Sequence, residues 1–117
     1  MNTYNIYIPT EKGKMGIDIK HITFIESVRD FSRIVFNNNE KLELLLTLDE
    51  IEQLLFDQGF FRFNYKYLVN LRYVHLIFPG DASKVILENG KEIFVSQSRR
   101  EELFENLRKV FDLQEIV

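Results

Sequence analysis

Over most of this chain apolar and polar residues alternate in short runs instead of in long helical stripes. Residues 4–8 (YNIYI) alternate with the period of a half-buried strand. After a short polar connection, residues 22–25 (ITFI) and 33–36 (RIVF) form brief apolar runs bounded by turn-forming residues. Asn37, Asn38 and Asn39 tolerate left-handed backbone, which predicts a hairpin into a strand carrying Leu42, Leu44 and Leu46. Thr47 with Glu50 three residues later predicts a capping box, and Leu48, Ile51, Leu54 and Leu55 then recur at helical spacing until Gly59. β-branched and aromatic residues return over 60–78 and break at Pro79 and Gly80. Residues 84–95 (KVILENGKEIFV) place Asn89-Gly90 between two apolar runs, a strong hairpin signal. Ser98 with Glu101 predicts a second capping box, followed by a helix faced by Leu103, Phe104, Leu107, Val110 and Phe111. The expectation is a mainly β fold with two short helices.

Length and hydrophobic content, 117 residues at 45%, suit one domain spanning residues 1–117 with a buried core. No linker, repeat or low-complexity segment interrupts it. Cysteine is absent, which excludes disulfides and thiolate metal sites. No signal peptide and no apolar run of about 18 residues is present, so a cytoplasmic protein with no membrane partner is expected. The net charge of -3 is unlike the basic surplus of many nucleic-acid binders, but its distribution is uneven. Residues 58–80 carry Arg62, Lys66 and Arg72 and no acid, whereas both flanking segments are acidic.

Catalytic chemistry has little material. His21 and His75 are the only histidines, and neither has ligand spacing or a serine elbow beside it. Asp49 and Glu50 occupy a helix first turn, where acids offset the helix dipole. The glycines form no phosphate-cradling pattern. No enzyme activity, cofactor or metal is expected.

The segment FFRFNYKYLVNLRYVHLI, residues 60–77, is the one basic and aromatic stretch. Two strands joined by a bend would bury Phe61, Phe63, Leu68, Val69, Leu71 and Val74 and leave Arg62, Lys66 and Arg72 outside. That arrangement does not account for the polar quartet Asn64 to Tyr67 or for Asn70, since a polar group inside a core-forming run requires a partner or a task. Asn70 is expected to hydrogen-bond backbone at a bend, and Arg62 to pair with Glu26 or another acid while its stem lies on apolar surface.

The residues FFRFNYKYLVNLRYV resemble the signature of the LytTR DNA-binding domain, in which a Phe-x-Arg segment leads through a polar tripeptide to Tyr-x-Val-Asn. ITFIESVRDFSRIVF is similar to the family's opening strand and first loop, LTLDEIEQLL to the helix before the signature, and LENGKEIFVSQSRREELFENL to the closing hairpin and last helix. The resemblance spans about residues 4–111. It implies an elongated stack of short-stranded sheets with two short α-helices, and a bacterial transcription regulator of the response-regulator kind that meets duplex DNA through loops. A stand-alone domain without a receiver is expected. By motif, the implied DNA-contacting places are the first loop (Arg29, Asp30, Ser32 and Arg33), the tripeptide (Asn64, Tyr65 and Lys66) and the turn into the last helix (Gln97, Ser98, Arg99 and Arg100).

The chain departs from the family pattern within these loops. Asn64-Tyr65-Lys66 stands where His-Arg-Ser or His-Asn-Ser is usual, Ser98 stands where Arg or Lys is frequent, and Ser32 where a basic or imidazole side chain is common. The Asn64 amide could hold a structural hydrogen bond or serve an adenine edge. Asn64 and Gln97 have the groups to meet a purine edge, and Tyr65 a thymine methyl or sugar. Arg29, Arg33, Lys66, Arg99 and Arg100 could meet phosphates, giving a salt slope of roughly -4 if all five engage, or be solvated surface charges. Two readings follow. One is sequence-specific duplex-DNA binding, with two copies of the chain on repeated half-sites. The other is a LytTR-like fold turned to a regulatory protein partner through Tyr65, Tyr67 and the terminal helix. Loop cations converging on one face favour the first, and crowding of that face by Glu101, Glu102 and Glu105 favours the second.

Overall fold

The computed structural model describes residues 4–78 and 84–111. The expected break at Pro79 and Gly80 lies outside the described residues. Among the described residues, ten strands form three antiparallel sheets, accompanied by two α-helices and three 3-10 turns. Strands β1 (Ile6–Thr10) and β2 (Gly13–Ile17) pair as a two-stranded ribbon. A central sheet has the order β5-β4-β3-β7-β6, built from β3 (Ile22–Val28), β4 (Phe31–Phe36), β5 (Lys41–Leu44), β6 (Phe60–Arg62) and β7 (Tyr67–Asn70). The third sheet, ordered β10-β9-β8, joins β8 (Val74–Ile77), β9 (Lys84–Leu87) and β10 (Glu92–Phe94). Helix α1 (Leu48–Leu54) follows β5, and α2 (Arg100–Phe111) follows β10.

Side-chain alternation explains the stack. Successive residues of a strand point to opposite faces, and in the central sheet both faces are buried. Phe24, Val35 and Val69 enter a core shared with the third sheet and α2, through Val85, Leu87, Ile93, Leu103 and Leu107. Their neighbours Ile25, Ile34 and Leu68 enter a second core with the β1–β2 ribbon and α1, through Ile8, Ile17, Leu48, Ile51 and Leu55. A strand covered on both faces reads as a continuous apolar run, as ITFI and RIVF do. The molecule extends 48 × 35 × 24 Å, an elongated stack.

Local signals account for most boundaries. Asn39 turns β4 into β5 with φ 68°, and the Thr47–Glu50 capping box closes reciprocally at 3.1 and 3.2 Å. Three expectations need correction. The first strand lies at Ile6–Thr10, and the polar connection after it forms β2, whose GKMGI sequence buries only Ile17. Helix α1 ends at Leu54, well before Gly59, because Leu55 leaves helical geometry and Asp57 adopts φ 61°. Ser98 caps nothing: it lies inside a 3-10 turn, Gln97–Arg99, through which the chain enters α2.

Asn70 is fully buried where β7 bends into a 3-10 turn. Its Nδ2 donates to the Ile22 carbonyl at 2.9 Å and reaches the Ile19 carbonyl at 3.4 Å, while Oδ1 accepts from the Arg72 backbone at 3.1 Å. The expected bend-holding role is met. Gly59, at φ +86°, lies against Arg72, where a Cβ would stand 2.8 Å from Nη1. Arg72 Nη1 also donates to the Gln58 carbonyl. Gly59→Ala is expected to lower stability by about 1–2 kcal/mol, since an L side chain is strained at this φ. Denaturant midpoints measure it, and an unchanged midpoint would show that the turn relaxes freely.

Candidate nucleic-acid interface

Three loops meet at one edge of the stack because hydrogen bonds tie them pairwise. The β3–β4 turn carries Arg29 and Asp30; the Ser27 N–H, just before it, donates to the Lys66 carbonyl at 2.8 Å. This joins the first loop to the β6–β7 loop. That second loop is joined in turn to the segment after β10: Asn64 Nδ2 donates to the Phe94 carbonyl at 2.7 Å, and the Ser96 N–H reaches the Phe63 carbonyl at 3.4 Å. Strand pairing supports the arrangement, with Glu26 opposite Tyr67 across β3 and β7.

Asn64 holds this junction. Its Oδ1 accepts from the Lys66 and Tyr67 backbone at 2.8 and 3.0 Å, turning the loop back on itself while Nδ2 reaches Phe94. Of the two roles open to this amide, the structural one accounts for its contacts. Tyr65 projects from the same loop at 86% exposure. Lys66 is exposed beside it, with its ammonium 5.6 Å from the Tyr67 ring centre.

The remaining expected residues divide. Arg29 and Asp30 are exposed, and Arg29 holds a left-handed φ of 55°, as the tight turn requires. Gln97 and Ser98 are exposed on the 3-10 turn. Arg99 is half-buried, its guanidinium over Phe61 at 4.8 Å and paired with Glu102 at 3.2 Å. Ser32 is not a surface residue: it sits on β4, opposite Ser27 and Leu44, at 0% exposure, so no loop presents it. Arg33 also lies on β4 and pairs with Glu43 at 3.1 Å and Glu26 at 3.3 Å; the Glu43 hydrogen bond, with Glu26 adding to it, raises its pKa. Arg100 turns towards the end of β8, donating to the Phe78 carbonyl at 2.8 Å. Arg33 and Arg100 are thus engaged within the protein.

Sequence reasoning missed two residues at this edge. Lys91, just after the Asn89-Gly90 turn, places its ammonium 5.3 Å from the Tyr67 ring centre, so Lys66 and Lys91 attend the same aromatic. Phe94 is 67% exposed. Period-two alternation contained the signal for Phe94, since Ile93 and Val95 point inward. For Lys91 there was none, because its proximity to Tyr67 depends on how two sheets stack. Among the described residues, Arg29, Lys66 and Lys91 have no carboxylate partner.

Among the described residues no group of three or more metal-ligating side chains occurs, and no helix is long and apolar enough to cross a membrane. His21 lies 3.8 Å from Asp18, next to Asn37, and His75 is exposed on β8.

Stacked small sheets that bring three strand-end loops to one edge define an all-β, loop-presenting module. The model of the LytTr DNA-binding domain matches residues 12–108, and the chain belongs to that family, one of DNA-binding domains and not of enzymes. Among solved structures it is similar to the LytTr DNA-binding domain of a protein from Bacillus cereus described as a methyl-accepting/DNA response regulator. The TM-score is 0.71 at 20% identity, covering 91% of this chain and 98% of that one. This likeness carries the fold, and the expected stack of short-stranded sheets is met. No curated protein matches the sequence.

Proposed function

We propose that this chain binds duplex DNA sequence-specifically as part of a cytoplasmic transcriptional regulator, using its three tied loops. The observation that carries the reading is their convergence on one edge, where Arg29, Lys66 and Lys91 lack carboxylate partners. These cations, with Arg99 adjoining, provide phosphate contacts, while Tyr65, Gln97 and Ser98 are the exposed groups for base edges and thymine methyls. Arg33 and Arg100 leave the set because of their protein partners, and Ser32 because it is buried. With roughly four phosphates neutralised, the expected salt slope is about -3.6. Two copies on repeated half-sites offset the weakness of one small footprint by raising effective concentration.

Enrichment of a random duplex pool on the purified chain at low salt, with sequencing of the bound fraction, tests this function. A short recovered motif supports it, and two evenly spaced copies of that motif support paired binding. A second reading draws on Glu101, Glu102 and Glu105, exposed on α2, with Glu102 3.2 Å from Arg99. A regulatory protein partner would meet this acidic face together with exposed Tyr65. Folded protein that recovers no DNA motif sinks the first reading and directs the work to partner capture.

A further inference from the structure

We propose that Arg62 is a positioning residue that sets base discrimination by the β6–β7 loop without itself touching DNA. This rests on the DNA-binding function proposed above and extends it to a residue outside the contact set. The Arg62 side chain is only 12% exposed, and its guanidinium meets four acceptors. Nε donates to the Asn64 carbonyl at 2.7 Å and Nη2 to the Tyr65 carbonyl at 2.9 Å. Nη1 donates to Asp49 at 2.8 Å and Glu52 at 2.9 Å, both from α1. One planar fork therefore fixes two consecutive loop carbonyls relative to a helix on the other core.

Tyr65 makes the consequence specific. At 86% exposure its side chain has little packing to aim it, so its direction follows its backbone, and Arg62 holds the carbonyl of that backbone. Asn64 secures the other side of the loop through Lys66, Tyr67 and Phe94. The two anchors divide the work: Asn64 shapes the turn, and Arg62 orients it against α1. Two carboxylates already offset the Arg62 charge, which makes this guanidinium a poor phosphate ligand despite its place in the basic segment. A lysine keeps the charge but lacks the fork, so it cannot serve both carbonyls and both acids in this geometry.

The test uses the full chain and the motif recovered from the random pool, with every single-base variant of that motif. Wild type, Arg62→Lys, Asp49→Ala with Glu52→Ala, and Tyr65→Ala are compared for affinity at several salt concentrations and for thermal unfolding. Arg62→Lys is expected to lose at least about fivefold in discrimination at the positions where Tyr65→Ala loses it. Its salt slope should stay unchanged and the protein folded at the assay temperature. The Asp49/Glu52 variant, which leaves the fork intact but unanchored, should lose discrimination at the same positions and keeps the test valid should Arg62→Lys unfold. Unchanged discrimination in folded variants would reduce Arg62 to a structural residue. A slope smaller by about 0.9 in an Arg62→Gln control would make it a phosphate contact instead. Failure of the wild type to recover any motif overturns the DNA-binding function itself, a result distinct from either of these.

Discussion

Replacing Asn70 with alanine is expected to lower the stability of the fold by about 3 kcal/mol, because each buried polar group left without a partner costs roughly 1–3 kcal/mol. The Ile22 carbonyl and the Arg72 N–H both lose their Asn70 partner, a side chain with 0% exposure. The side chain ties β7 to the turn before β3, so its loss loosens the middle of the central sheet. Total stabilities of 5–15 kcal/mol make this a large share. For a chain of this size the melting temperature should fall by about 12–15 °C. Circular dichroism melts and urea titration measure both quantities. A fall of less than about 3 °C would mean the carbonyls find other donors. Any loss of DNA affinity in this variant should follow the loss of folded protein and disappear when binding is measured well below its melting point.

Changing Arg29, Lys66 and Lys91 together to glutamine should have the opposite profile, with little change in melting and a large change in binding. Each phosphate contact contributes about 0.9 to the salt slope, so removing three lowers its magnitude by about 2.7 and weakens binding roughly 500-fold at 0.1 M salt. Arg29 and Lys66 are exposed, Lys91 is half-buried, and none is paired with an acid among the described residues, so their removal breaks no ion pair there. Lys41→Gln is a suitable control, because Lys41 is exposed and pairs with Val35, at the end of β4 away from the Arg29 turn. Fluorescence anisotropy across a salt series reads the slope directly. Equal slopes for the triple variant and wild type would remove this edge as the DNA-facing surface.

The pattern of the sequence carried the fold further than it carried the site. Hairpins at Asn37–Asn39 and Asn89-Gly90, the Thr47 cap and the buried Asn70 were legible because each is a local signal or an isolated exception in an apolar run. β2 was not, since an exposed ribbon with two glycines has almost no apolar alternation to announce it. Partner choice was also hidden. Glu26 was a candidate for Arg62, but strand register sets Glu26 opposite Arg33, and the packing of α1 brings Asp49 and Glu52 to Arg62. The Ser98 cap was a decoy, because a capping-box spacing does not reveal that the chain enters the helix through a 3-10 turn. Ser32 was placed in a loop by motif, yet the tight turn at Arg29 lets β4 begin at Phe31 and carries Ser32 indoors.

The order of the central sheet also bears on synthesis of the chain. Strands β3, β4 and β5 can pair as soon as they leave the ribosome, but the other edge of β3 is filled by β7 from much later in the sequence. At about 5–20 residues per second, that edge stays open for roughly 2–8 seconds. During this interval Phe24 and Ile25 are without their final covers. Glu26, one residue further along the same strand, is paired with Arg33 and keeps a polar group beside this edge, the kind of side chain that discourages edge-to-edge pairing. The Glu26–Arg33 ion pair thus sits on the strand whose second edge stays uncovered until β7 has been made.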